Sequence, residues 1–260
     1  MEKVQWVPWW WVAAGAGGLV AIGAAIPMSP TAVALGLSYL VVSTVLLTVG
    51  LRRRGALRFG PANAVTATRS MLVGLVTALT VAALEGAAVE GAAGEGAAST
   101  VLFVTLVACA LALDGVDGYV ARRTASESEL GARFDMEVDA FLLLVLCVYD
   151  VRFVGWWVLS IGLLRYAFVV AGAVLPWMRR TLPPRYWRKV VTAVCGIALT
   201  VVAAQVLPPE ANLAVAAAAM LLMLESFGRD VTWLVRLNLS GRALVSLERA
   251  STTSPPPESR

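Results

Sequence analysis

The stretch Val4–Leu51, VQWVPWWWVAAGAGGLVAIGAAIPMSPTAVALGLSYLVVSTVLLTVGL, holds no charged residue over 48 positions. A helix crossing a bilayer needs about 20 apolar residues. The run is therefore long enough to cross twice, with Pro27 and Pro30 marking the break. The rest of the chain has the same character. Hydrophobic residues make up 59% of the 260 and charged residues 15%, against about 45–50% and about 25% in a soluble domain. That balance excludes an ordinary soluble domain and a disordered chain.

Eight spans are expected, at about 6–27, 31–51, 64–88, 98–121, 134–150, 152–178, 189–207 and 211–237. Helix is the default, because an open sheet edge cannot sit in lipid. The alternation of a barrel strand is absent, and Gly and Ala recur as they do at membrane helix interfaces. The fold class expected is all-α, a polytopic membrane protein. A helix pair over 1–51 precedes a basic juxtamembrane connector at 52–63. A six-helix membrane domain follows at 64–237, then a tail at 238–260 that is disordered at its Pro-rich end. The pair reads as retained helices and not as a signal peptide, since only Lys3 precedes the first apolar run and a second follows at once. Gly86–Ala98, GAAVEGAAGEGAA, reads as a flexible loop.

Basic residues orient the spans. They cluster at Arg52–Arg54, Arg58 and Arg69, at Arg122, Arg123 and Arg133, at Arg179–Lys189, and from Arg229 to the C-terminus. The alternate connections carry almost none, Arg152 excepted. Both termini are therefore expected on the cytoplasmic side. Split among membrane-flanking loops, these arginines do not form a nucleic-acid face. Trp9, Trp10 and Trp11 read as an interfacial aromatic belt.

There is no histidine, which excludes histidine acid–base catalysis and histidine metal sites. Cys109, Cys147 and Cys195 stand alone in apolar runs, as small packing residues do.

The chemistry lies in residues 113–140, LDGVDGYVARRTASESELGARFDMEVDA. Asp114 and Asp117 are three apart at the cytoplasmic end of span four. Asp135 and Asp139 are four apart at the start of span five. Each spacing puts a pair on one helical face, and the short loop between lets the two faces meet. Converging carboxylates repel each other, so either some take up protons or a cation sits among them. An all-oxygen set suits Mg²⁺, Mn²⁺ or Ca²⁺, not zinc. Four carboxylates are enough for two divalent ions about 3.5–4 Å apart, an arrangement suited to displacement at phosphorus. Gly118, Ala121 and Gly131 leave the helix surfaces open beside them, or serve only as small interhelical contacts. Arg122 could pair with a phosphate or anchor the membrane face.

Asp114-x2-Asp117-Gly118-x2-Ala121-Arg122-x8-Gly131-x3-Asp135-x3-Asp139 resembles the signature of the CDP-alcohol phosphotransferase (CDP-alcohol phosphatidyltransferase) family at every defined position. The resemblance covers roughly residues 60–237, so the first two spans are additions to a six-helix core. It implies that Asp114, Asp117, Asp135 and Asp139 hold two Mg²⁺ or Mn²⁺ ions, with Asp139 also the general base. It implies a donor pocket at Gly118, Ala121, Arg122 and Gly131. Pro61-Ala62-Asn63-Ala64-Val65-Thr66-Ala67-Thr68-Arg69 looks like the family's P-N-x-x-T-x-x-R entry with one inserted alanine. Asn63, Thr66 and Arg69 would then face the nucleotide end of the donor. By its residues alone the segment also reads as a helix start with an arginine anchor.

Arg165 lies inside span six, with no basic neighbour for a dozen residues either way. An ionisable residue at that depth is a site candidate by default, or a partner for a carboxylate such as Glu225. Tyr186-Trp187-Arg188-Lys189-Val190-Val191-Thr192 looks like a W-x-G-K-x-K-T stretch of glycerol-phosphate-using members, altered at Tyr186, Arg188 and Val191. Arg165, Arg188, Lys189 and Arg229 are the candidates for binding a phosphorylated acceptor. The function implied is transfer of a phosphatidyl group from CDP-diacylglycerol to an alcohol, releasing CMP. The rival reading is an ion or proton transporter, but such carboxylates usually lie near the midplane within paired repeats. Homodimers are common in the resembled family.

Overall fold

The structure is a computed structural model that describes residues 9–53, 61–89, 97–123, 129–179 and 186–253. Side chains are described there except at 53, 61, 62, 87–89, 97, 117–123, 129, 130, 132, 133, 176, 179, 186 and 240–253. Every regular element among these residues is helical. The α-helices are α1 Trp9–Ala25, α2 Pro30–Arg53, α3 Pro61–Val89, α4 Ala97–Arg123, α5 Glu129–Val154, α6 Leu159–Val174, α7 Tyr186–Ala204 and α8 Pro209–Thr253. Single 3₁₀ turns at Trp156–Val158 and Pro176–Arg179 flank α6. Six segments, Pro30–Arg52, Asn63–Gly86, Ala98–Val116, Trp156–Val174, Trp187–Ala204 and Pro209–Leu239, are long and apolar enough to cross a membrane. The chain is an all-α polytopic membrane protein.

The other two helices differ for physical reasons. The 17 residues of α1 rise about 25 Å at 1.5 Å per residue, short of a hydrocarbon core about 30 Å thick. Helix α5 is long, but Glu137, Asp139, Asp150 and Arg152 interrupt its apolar run. Several boundaries also move outward. Pro61 starts α3 inside the expected connector, since proline suits a first helical turn, where its missing N–H has no partner to lose. Helices α3 and α4 take in both ends of the expected 86–98 loop, whose residues 90–96 lie outside the described set. Helix α8 runs on to Thr253, well past the apolar segment ending at Leu239.

Local signals fix the breaks. Ser29 accepts a hydrogen bond at Oγ from the Ala32 N–H at 3.0 Å, capping α2. Gly155 has φ of 93°, a conformation that side chains disfavour, and there the chain turns from α5 into the 3₁₀ turn.

Helices α3 and α5 form the centre. Helix α3 packs against α1, α2, α4 and α5, and α5 against α6, α7 and α8. Val73 and Val76 of α3, Phe103 and Val107 of α4, and Leu142 and Leu146 of α5 are fully buried. Phe103 stacks on Tyr149 with ring centroids 3.8 Å apart. The N-terminal pair joins this core intimately. A Cβ on Gly36 of α2 would lie 3.1 Å from the Gly74 carbonyl oxygen of α3, so glycine is what lets these two backbones approach. Tyr39 of α2 stacks on Phe141 of α5, centroids 4.5 Å apart. Cys147 and Cys195 are buried packing residues and Cys109 is exposed; all three are free thiols.

Candidate active site

Asp114 sits two-thirds of the way along α4, and Asp135 and Asp139 stand one turn apart near the start of α5. One carboxylate oxygen from each of the three lies within 4.8 Å of the others. The expectation that two helices would bring their acidic faces together therefore holds for these three. Asp117 lies one turn beyond Asp114, in the part of α4 whose side chains are outside the described set, as do Gly118, Ala121 and Arg122. Gly131 opens α5 one turn before Asp135 and is partly exposed.

Arg69 is the hub of the cluster. It projects from the first half of α3 and is 0% exposed. Its Nη1 donates to Asp114 Oδ1 at 2.9 Å and to Asp135 Oδ1. Its Nη2 donates to Asp139 Oδ1 and to the Asp135 backbone carbonyl, the latter at 3.3 Å. A buried guanidinium needs such partners, because its desolvation is otherwise uncompensated. Thr66, one turn earlier, is also buried, and Asn63 is half-buried. Sequence reasoning put Arg69 at the donor. Its position on the carboxylates was legible only in part, as a basic residue at helical spacing from Asn63 and Thr66.

The donor set can be tested against a cation. Three ionised carboxylates and one guanidinium leave a net charge of −2, which one divalent ion would neutralise. Ligands on a single hard cation lie at 2.0–2.6 Å from it, so they can be at most about 4–5 Å apart, and the cluster meets that span. Its donors are all oxygen. The residues present fit a hard divalent ion.

The basic candidates do not gather into one pocket; three of the four have a carboxylate of their own. Arg165 of α6 pairs with Glu137 of α5, not with Glu225, and its Nη1 lies 3.6 Å from Met136 Sδ. Arg188 pairs with the buried Asp230 at 3.5 Å. Arg229 pairs with Glu225, one turn away, which also accepts a hydrogen bond from Trp187 Nε1 at 3.1 Å. Lys189 is exposed and within electrostatic reach of Asp139. Glu137 and Asp230 were missed in the sequence, although Asp230 lies inside the expected eighth span, where its depth was the signal that could have found it.

One more residue departs from expectation. Trp10 is 74% exposed, as an aromatic belt requires, but Trp11 turns inward and donates from Nε1 to Thr68 Oγ1 at 2.9 Å.

Residues 59–235 match the family model described as CDP-alcohol phosphatidyltransferase. Its members transfer a phosphatidyl group from a CDP-alcohol in phospholipid synthesis and use divalent metal. No curated protein and no solved structure matches the chain. The matched segment takes in α3 to α7 and most of α8, with the whole acidic cluster, and the chain belongs to the CDP-alcohol phosphatidyltransferase family.

Proposed function

We propose that the protein transfers the phosphatidyl group of CDP-diacylglycerol to an alcohol acceptor, releasing CMP, with Mg²⁺ or Mn²⁺ as cofactor. The observation that carries this reading is the convergence of Asp114, Asp135 and Asp139 at one end of the helix bundle, within 4.8 Å of each other. Asp117, one turn from Asp114, completes the ligand set in this reading. Two divalent ions held there would supply Lewis-acid stabilisation of the diphosphate charge.

The remaining work falls to side chains. Arg69 engages Asp139 through Oδ1, and Oδ2 is the oxygen assigned to take the acceptor's hydroxyl proton. The acceptor oxygen then attacks the phosphorus bonded to diacylglycerol, and the bond from that phosphorus to the oxygen bridging to CMP breaks. The electron pair leaves with CMP, and the proton stays on Asp139 until it passes to solvent. Asn63, Thr66, Gly118, Ala121, Arg122 and Gly131 form the donor pocket in this proposal, with Arg69 ordering its floor. Lys189 is the basic residue best placed to meet an acceptor phosphate; Arg165, Arg188 and Arg229 each hold a carboxylate and would have to exchange it to take part. A basic residue near Asp139 favours a phosphorylated acceptor, such as glycerol 3-phosphate, inositol phosphate or phosphatidylglycerol, the last giving cardiolipin.

The distribution of basic residues supports a site and both termini on the cytoplasmic side of the inner membrane. A catalytic domain at 64–237 then carries the N-terminal pair as an addition, and a homodimer is the assembly proposed. The test is to incubate the purified protein with CDP-diacylglycerol, Mg²⁺ or Mn²⁺ and a panel of acceptors, scoring lipid products by mass and CMP by chromatography. One acceptor should yield product, and EDTA should abolish it until metal is restored. Product formation that survives rigorous chelation, or no CMP release with any acceptor, would overturn the proposal.

A further inference from the structure

Three consecutive tryptophans open α1, each rotated about 100° from the last, so the three cannot all face lipid or all face protein. Trp11 is the one that faces protein. Its indole N–H donates to Thr68 Oγ1 across 57 residues of chain, and Thr68 directly precedes Arg69 on α3. Its ring packs on Leu47, Leu51 and Ala67, a small buried cluster that Phe134 also closes. Phe134 in turn directly precedes Asp135 on α5. A small, partly open pocket of about 10 Å³ lies between the same parts, lined by Trp11, Ser43, Thr44, Ala67, Ser70 and Phe134 among others. One side chain from outside the family-matched segment thus touches the residue before the guanidinium hub and the cluster beside the residue before a carboxylate.

We propose that Trp11 is a positioning residue for the transferase site, and that the N-terminal helix pair completes that site by holding α3 in register with α5. The inference rests on the proposed transferase function for its kinetic readout, but not for its metal readout. Arg69 reaches three carboxylates at once. Such a constellation needs its members held within about 0.5 Å. A buried indole N–H seeks a partner, and this one spends it on α3 at the residue next to the hub. Losing one neutral hydrogen bond of this kind shifts an equilibrium by about fivefold.

The test uses the full-length chain in detergent or nanodiscs, with Trp11→Phe, Thr68→Val, the double variant, and Trp10→Phe as control. Mn²⁺ binding is followed by the electron paramagnetic resonance signal of the free ion, without turnover, and kcat and KM are measured on CDP-diacylglycerol. Trp11→Phe and Thr68→Val are each expected to weaken Mn²⁺ binding and lower kcat about fivefold. The double variant should be no worse than either, because both remove the same bond. Trp10→Phe should match wild type. Should Trp11→Phe fail to fold, Thr68→Val removes the bond with the indole still in place. Wild-type Mn²⁺ affinity and kcat in folded Trp11→Phe or Thr68→Val would sink the proposal, as would strictly additive effects in the double variant. If wild type binds Mn²⁺ but releases no CMP, the transferase reading fails, and the Mn²⁺ titrations alone still judge the brace.

Discussion

Replacing Arg69 with Gln is the perturbation with the largest calculable effect. The guanidinium is fully buried and bonds to three carboxylates. Glutamine keeps donors at that depth but carries no charge. Removing one partner of a buried charge pair costs about 3–5 kcal/mol, because the group left behind is uncompensated. For a chain of this size each kcal/mol moves the unfolding midpoint by about 2–4 °C, so the midpoint in EDTA should fall by about 6–20 °C. The variant should also respond more to metal. Net charge among Arg69, Asp114, Asp135 and Asp139 goes from −2 to −3, so a divalent ion neutralises a larger excess in the variant. Saturation at about 100 times the dissociation constant stabilises by about 2.7 kcal/mol, and tighter binding enlarges that gain at a fixed Mn²⁺ concentration. The assay is thermal unfolding of both proteins in detergent, in EDTA and across a Mn²⁺ series. An unchanged midpoint in EDTA would show that the guanidinium is not what compensates the cluster. A Mn²⁺ shift no larger in Arg69→Gln than in wild type would refute the charge argument.

Asp139→Asn should remove the base while leaving the fold in place, lowering kcat for CMP release by about 10²–10⁴-fold; undiminished turnover would assign proton removal elsewhere. Lys189→Ala, at an exposed position near Asp139, should raise the KM for a phosphorylated acceptor by about tenfold and leave the KM for CDP-diacylglycerol unchanged. That estimate takes a charged hydrogen bond to be worth about 1.5 kcal/mol. Equal effects on both substrates would argue against an acceptor role. At the far end of α5, Asp150 is fully buried and neither carboxylate oxygen has a hydrogen-bond partner among the described residues. Asp150→Asn keeps the shape without an ionisable group and should raise the unfolding midpoint by a few degrees, since a buried carboxyl without partners costs free energy either as an anion or to keep protonated. A lowered midpoint would mean that the carboxylate is engaged.

What the sequence disclosed follows from how far each signal extends along the chain. Membrane helices announce themselves through runs of about 20 residues, so eight helices were legible, six of them long and apolar enough to cross, with boundaries moved where Pro61 opened α3 early and where α8 ran well past its expected end. The meeting of Asp114 with Asp135 and Asp139 was legible because they lie on consecutive helices, the latter two four apart on one face, with only a short connection between the helices. Arg165 illustrates the limit. Its depth marked it as needing a partner, but α5 and α8 both pack against α6, so the choice between Glu137 and Glu225 depends on the rotation and register of α6 between them, and no local pattern encodes that. Arg69 is the same problem at the centre of the site: a helical face can be read from Asn63, Thr66 and Arg69, but not what that face meets.

Trp11 shows the deeper reason. Nothing in the run Trp9–Trp11 says which indole turns inward, because a lipid-facing and a protein-facing tryptophan satisfy the same hydropathy pattern. The choice is made by the rotation of α1 about its own axis. That rotation is set by close contacts such as Gly15 of α1 against Leu40 of α2, where an added Cβ would come within 2.7 Å of the leucine side chain. Contacts of that kind are pairwise and distant in sequence, so they leave no periodic trace. It follows that additions to a membrane enzyme's core are hardest to read where they matter most. Their lipid-facing surface dominates the composition, while the few residues that reach the site, here one indole on one threonine hydroxyl, differ from their neighbours only in direction.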